Sequence, residues 1–293
     1  MTPRELFSRA AAELEQADVY CGHGTDNCFD EAVFLVLHAL GEPYERIDEI
    51  KDCELEQSQT DAAQKLIRER IERRIPAAYL TGRTWFAGLE FAVNDDVLVP
   101  RSPFAELIIG GCQPWLGSRP VSKILDIGTG SGCIAIAMAC AFPDANGTAT
   151  DISPAALAVA RANGHRHRLD DRVDWVQADL YPTPAKRYDV IVSNPPYVPA
   201  DSYANLPQEY AHEPSQALLA DDGGFELVDR ILNQACAHLS DHGMLFVEVG
   251  EIWEAFDQRY ARLNPVWLEF ANGGEGVCML EAQALQAHGN EAR

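Results

Sequence analysis

The sequence has no apolar run approaching the roughly 18 residues that a membrane-spanning helix requires, so nothing in it argues for a membrane. None of its eight cysteines forms a C-x-x-C pair or a short ligand cluster with histidine, so no zinc site or dithiol redox motif is indicated. Cysteines 21, 28, 53, 112, 133, 140, 236 and 278 read as reduced thiols. His165 and His167 stand in a polar segment flanked by arginines, the pattern of a solvated helix end rather than of a metal site. Positive charge is scarce: 23 basic against 45 acidic residues give a formal charge of -22. Such a surface repels a bare phosphate backbone and favours a basic protein partner. The alternative is that acidity serves solubility alone, and composition does not separate the two. There is no internal repeat or low-complexity tract. Met1 to Leu6 carry an acid in the first turn and lead into an amphipathic stretch, unlike a signal peptide, so a cytoplasmic location is expected.

What is present is an ordinary globular composition, 47% apolar and 23% charged over 293 residues, long enough for a catalytic domain with a smaller companion. Residues 1–78 read as a helical domain. Thr2, Pro3 and Glu5 form an N-cap, first-turn proline and capping box. A second helix starts near Asp26 or Asn27, carries Phe29, Val33, Leu37 and Leu40 at helical spacing, and stops at Gly41. Ser58 is the expected cap of a third helix, which runs to about Arg74. Residues 79–119 read as a hairpin about Gly88 and a linker. From 120 to 293 strand, turn and helix alternate, with strands at 123–126, 147–150, 173–176, 189–193 and 244–249. This pattern predicts an α/β fold with a mostly parallel, doubly wound sheet that binds ligands beyond the carboxyl ends of its strands. Val266 to Phe270 and Val277 to Glu281, separated by Asn272-Gly273-Gly274, read as a closing antiparallel hairpin.

Ile124-Leu125-Asp126-Ile127-Gly128-Thr129-Gly130-Ser131-Gly132 is a buried strand running into a glycine turn and then a helix, where backbone approaches a ligand closely. The glycines match a dinucleotide fingerprint only in part, since Cys133 stands where its third glycine belongs. Asp151 and Asp179 follow the next two strands; the first can take both hydroxyls of a ribose, the second an adenine amino group. Each acid taken alone could equally be a helix N-cap. Three acids with no nearby lysine or arginine suit a cofactor without phosphate and with positive charge, as in S-adenosylmethionine. A nicotinamide dinucleotide remains the rival for this segment by itself.

After the fourth strand comes Asn194-Pro195-Pro196-Tyr197. The prolines stiffen the backbone and lack N–H groups, leaving nearby carbonyls free to accept. If the Asn194 side-chain oxygen and the Pro195 carbonyl each accept one hydrogen of an NH2 group, a planar nitrogen is held in line with a methyl donor. Tyr197 can stack on its face. The bland alternative is a stiffened turn without chemistry. The loop alone admits adenine, asparagine or glutamine.

These motifs resemble the class I methyltransferases acting on exocyclic amino nitrogens. With the helical N-domain, Val97-Leu98-Val99-Pro100-Arg101 and Asn272-Gly273-Gly274, the chain resembles the HemK-type protein N5-glutamine methyltransferases over nearly its whole length. The resemblance implies a seven-stranded sheet and S-adenosylmethionine as methyl donor, without a metal. It implies a cofactor surrounded by Asp126, Gly128, Thr129, Gly130, Ser131, Gly132, Asp151, Ile152, Asp179, Leu180 and Asn194. Asn194, Pro195, Pro196 and Tyr197 then act on the glutamine amide. In the branch acting on peptide chain release factors the arginine is usually followed by Pro-Glu-Thr-Glu, but Arg101 is followed by Ser102-Pro103-Phe104-Ala105-Glu106. Gly22-His23-Gly24-Thr25-Asp26-Asn27, the Arg101-Ser102-Pro103 segment and Trp267-Leu268-Glu269-Phe270 resemble instead the branch that methylates the third protein of the large ribosomal subunit. The expected partner is that basic protein, with release factors second. Arg101 and His23 are candidate substrate contacts, each with a structural alternative: a local ion pair for Arg101, a turn for His23. Adenine-N6 methylation of DNA requires a basic groove and a recognition module, neither of which the sequence offers. A non-catalytic module that binds translation proteins would need none of the cofactor residues.

Overall fold

Helix α1 (Pro3–Gln16) begins where the sequence predicts, because Glu5 N–H donates to Thr2 Oγ1 at 3.3 Å and Thr2 N–H donates to the Glu5 carboxylate at 2.9 Å. Asn27 caps α2 (Cys28–Leu40), which ends at Gly41 in the left-handed conformation with φ 69°. After α3 (Ile47–Ile50) comes α4 (Gln57–Arg73), and then α5 (Ala77–Thr81). Ser58 is not the cap of α4: Glu56 is, and its N–H donates to Gln59 Oε1 at 3.0 Å in a capping box. Ser58 lies inside the first turn. Phe29 also departs from expectation, 49% exposed, because the buried stripe of α2 is Ala32, Val33, Leu35, Val36 and Leu37. This stripe packs with Leu6, Phe7 and Leu14 of α1 and with Ala63 and Ile67 of α4.

The structure is a computed structural model describing residues 1–291. It divides into two compact units. The first comprises Met1–Thr84, Val93–Asp95 and, far along the chain, Pro207–Glu213. Within it Arg70 is fully buried. Its guanidinium donates to Glu31 Oε1 at 2.7 Å, to Glu209 Oε1 at 3.2 Å and to the Tyr20 carbonyl at 2.8 Å. Buried charge persists only when paired in this way.

The second unit comprises Trp85–Ala92, Asp96–Leu206 and the chain from Pro214 onward. The short strands β1 (Arg83–Phe86) and β2 (Leu89–Ala92) form a separate hairpin turning at Ala87 and Gly88, both at positive φ. The main sheet has seven strands in the order β5-β4-β3-β6-β7-β9-β8. They are β3 (Lys123–Ile127), β4 (Asn146–Asp151), β5 (Val173–Gln177), β6 (Tyr188–Ser193), β7 (Leu239–Glu248), β8 (Val266–Trp267) and β9 (Val277–Glu281). The first five are parallel, and β9 runs antiparallel to β7 and β8. Strand β8 is two residues long, not the five its pattern suggests.

Period-two alternation assigns side chains to two cores. Ile124, Val190, Val192, Met244 and Phe246 pack with α6 (Phe104–Ile109) and α7 (Cys133–Ala141). Leu125, Ile127, Ile191, Leu245 and Val247 pack with α10 (Glu226–His238), α11 (Trp253–Arg259) and the start of α12 (Ala282–Glu291). Each such side chain contributes about 1.5–3 kcal/mol by leaving water. The remaining helices are α8 (Pro154–Arg166), capped by the Ser153 side chain, and the short α9 (Ala200–Tyr203). Strand order reverses between β3 and β6, which opens a crevice at their carboxyl ends.

Candidate active site

The glycine turn after β3 is built by the strand ends around it. Gly128 (φ 72°) and Gly130 (φ 54°) adopt backbone conformations closed to most side chains. At Gly132 (φ 82°) a Cβ would also lie 3.1 Å from Ala160 and Trp175. The N–H groups of Gly128 and Thr129 both donate to the Thr150 carbonyl at 2.9 Å. Asp151 accepts from Gly130 N–H through one oxygen and from Ser153 N–H through the other, each at 2.9 Å, so the acid that ends β4 holds the turn in shape.

Asp126 is buried beneath the turn. One carboxylate oxygen accepts from Thr129 Oγ1 at 2.6 Å and from Ala135 N–H at 3.1 Å; the other has no partner in the protein. Burial pushes its pKa up to about 7, against the pull of those two donors.

The second loop starts from β6. Ser193 Oγ donates to the Ile127 carbonyl at 2.9 Å, fastening the root of Asn194-Pro195-Pro196-Tyr197 to the root of the glycine turn. The Tyr197 hydroxyl donates to Glu248 Oε1 at 3.0 Å. A Cβ on Gly250 would fall 2.3 Å from the Tyr197 ring, so glycine is required where the ring rests.

The two loops line one cavity of about 350 Å³, within the range of small-molecule sites. Arg101, Gly128, Thr129, Gly130, Ser131, Asp151, Ile152, Asp179, Leu180, Asn194, Pro195 and Pro196 all border it. Asp126, Gly132 and Tyr197 are not among its lining residues and act on the residues that are. His23 belongs to the first unit. There it is buried, its Nε2 3.5 Å from Glu213 Oε2 and its ring centroid 4.6 Å from that of Tyr210.

One expectation fails. The three acids do have a cation among them: Arg230 of α10 lines the cavity and donates to the Asp179 carboxylate at 2.5 Å. Asp179 and Arg230 are 51 residues apart, and only the packing of α10 on the sheet joins them. Glu248, Ser102 and Ser193 were also missed. Glu248-Val249-Gly250, an acid and a glycine leaving an apolar strand, was the available signal for the first.

Known proteins similar to this chain are methyltransferases. The family model described as Methyltransferase small domain matches residues 115–231. The chain is 42% identical over 295 residues to the ribosomal protein uL3 glutamine methyltransferase of Burkholderia pseudomallei, covering 98% of this chain and 96% of that one. It is 44% identical over 286 residues to the protein of the same name in Bordetella pertussis, covering 97% and 96%. Among solved structures, the hMettl16 catalytic domain in complex with a 3′UTR hairpin superposes with a TM-score of 0.50 at 16% identity, covering 76% of this chain and 80% of that one, a likeness of fold. With relatives this similar over nearly the full chain, the chain belongs to the ribosomal protein uL3 glutamine methyltransferase family.

Proposed function

We propose that this chain transfers a methyl group from S-adenosylmethionine to the side-chain nitrogen, N5, of a glutamine in ribosomal protein uL3. The observation that carries this reading is the convergence of the glycine turn and the Asn194-Pro195-Pro196 loop on one cavity. The donor set fits the methyl donor. Asp151 is held at the end of β4, Asp179 borders the same cavity, and Asp126 beneath the turn fixes Thr129 and Ala135. When bound, S-adenosylmethionine supplies a methyl carbon on a positively charged sulfur.

The chain's own residues orient and polarise the acceptor. Asn194 Oδ1 and the Pro195 carbonyl each accept one hydrogen of the glutamine NH2, which fixes the direction of the nitrogen lone pair. A nitrogen–carbon bond forms as the carbon–sulfur bond breaks with its electrons going to sulfur, and one amide proton passes to solvent. As the nitrogen gains positive character, the same two oxygens stabilise it. Pro196 keeps the loop rigid, and Tyr197, anchored to Glu248 through its hydroxyl, holds the end of the loop. The helical N-terminal unit serves substrate recognition, and the charge of -22 favours a basic ribosomal protein over nucleic acid.

The decisive experiment incubates the enzyme with labelled methyl donor and, in parallel, purified uL3, a release factor and duplex DNA, then maps the label by mass spectrometry. The expected result is label on a glutamine of uL3, lost in Asn194→Ala, which still binds the methyl donor by calorimetry. Label on the release factor alone, or on DNA alone, overturns the proposal.

A further inference from the structure

Glu248 ends β7 in the middle of the sheet, 5% exposed and fully enclosed. The parallel register that pairs Ser193 with Val247 carries Glu248 to the level of Asn194 on the adjoining strand. Its two oxygens collect donors from two segments. Ser102 Oγ donates to Oε2 at 2.5 Å, and the Tyr197 hydroxyl donates to Oε1 at 3.0 Å. That register sets Asn194 beside the same carboxylate, and Arg101 and Asn194 both draw its pKa down. Ser102 Oγ also accepts from Phe104 N–H at 3.1 Å, so its single proton is committed to Glu248.

We propose that Glu248 is a positioning residue for methyl transfer, holding the Asn194 amide with its NH2 toward the carboxylate and its oxygen toward the cavity, while anchoring the Tyr197 ring through its hydroxyl. The inference rests on the reading of Asn194 as acceptor for the substrate NH2. An asparagine amide presents a donor on one side and an acceptor on the other, and the two orientations are nearly isosteric. A carboxylate only accepts. It therefore admits the Asn194 NH2 and rejects the oxygen, selecting the one orientation in which the substrate meets an acceptor instead of a second donor. In the reverse orientation two NH2 groups would face each other and the substrate nitrogen would lose its alignment.

The arrangement requires the ionised form. Burial raises the Glu248 pKa, while Ser102, Tyr197, Asn194 and Arg101 oppose the rise. Protonation turns one oxygen into a donor and removes the charge that favours an NH2 group over an oxygen beside it. Turnover should thus fall on the acid side, in a range above that of an ordinary carboxylate.

The test uses the full-length enzyme, with wild type first shown to methylate a glutamine of uL3. If wild type methylates no glutamine, the underlying reading fails, not the role of Glu248. With that activity in hand, Glu248→Gln should lower kcat about 100-fold, with KM and calorimetric affinity for S-adenosylmethionine within about threefold. It should also lack the acid limb of the kcat profile. Ser102→Ala, a smaller change, serves if the first variant does not fold. It removes one donor to the carboxylate and should lower kcat several-fold while moving the acid limb to higher pH. Glu248→Gln with wild-type kcat, an acid limb that persists in it, or a limb unmoved in Ser102→Ala overturns the proposal.

Discussion

Asp126 shows how one buried side chain can shape a turn at the expense of stability. Its folded pKa of about 7 lies above the ordinary 3.8, so the native state holds a proton that the unfolded chain releases. The sign follows directly: stability is greatest below the unfolded pKa and declines as pH rises toward and through the folded value. Between about pH 5 and pH 8 the loss attributable to this residue is on the order of 2–3 kcal/mol. Asp126→Asn keeps an acceptor for Thr129 and Ala135 and removes the titration. Its melting temperature should therefore gain on wild type as pH rises from 5 to 8, while its affinity for S-adenosylmethionine falls. A wild-type and variant difference independent of pH would contradict this account. Asp126 was legible from its place before the glycine turn; its unpartnered oxygen and raised pKa depend on the enclosure around it.

At the scale of elements, Asn163 of α8 joins three segments. It is fully buried, accepts from Ala92 N–H at 2.8 Å, and donates to the carbonyls of Ala92 and Ser131 at 2.9 Å each. The same helix therefore secures β2 and the glycine turn. Asn163→Ala leaves those three backbone groups without their buried partner and should cost about 2–4 kcal/mol, measurable by urea denaturation. Because Ser131 borders the cavity, cofactor affinity should fall as well. A variant with unchanged stability would mean that the backbone finds other partners. Most element boundaries were legible, since strands alternate with period two and helices α1, α2 and α8 carry side-chain caps. The start of α4 was misread because Glu56, a less common cap than serine, stands two residues ahead of Ser58. The short β8 reflects pairing with β9 over only Val266 and Trp267, which periodicity in the strand itself does not reveal.

At the scale of the molecule, the excess of acid sets how a partner approaches. A net charge of -22 attracts a basic protein over distances that salt screens. Raising ionic strength from 0.05 to 0.5 M should increase KM for uL3 roughly tenfold and leave kcat nearly unchanged, because the amide is oriented by short contacts inside the cavity. A salt-independent KM would show that the acidic surface does not take part in recognition. The long loop after Tyr197 is also a molecular-scale feature. It enters the first unit at Pro207, supplies Glu209 to the buried guanidinium of Arg70, and leaves after Glu213.

The sequence by itself determined the sheet class and the glycine turn and Asn194 loop that border one cavity. Each is written in contiguous residues whose backbone preferences and hydrophobic period act locally. Only the tertiary structure decided that Arg230 reaches Asp179, that Ser102 and Glu248 converge on the Asn194 loop, and that residues 207–213 belong with the N-terminal helices. Those contacts join residues dozens to well over a hundred positions apart. The sheet brings them together through parallel register and helix packing, which no local pattern encodes.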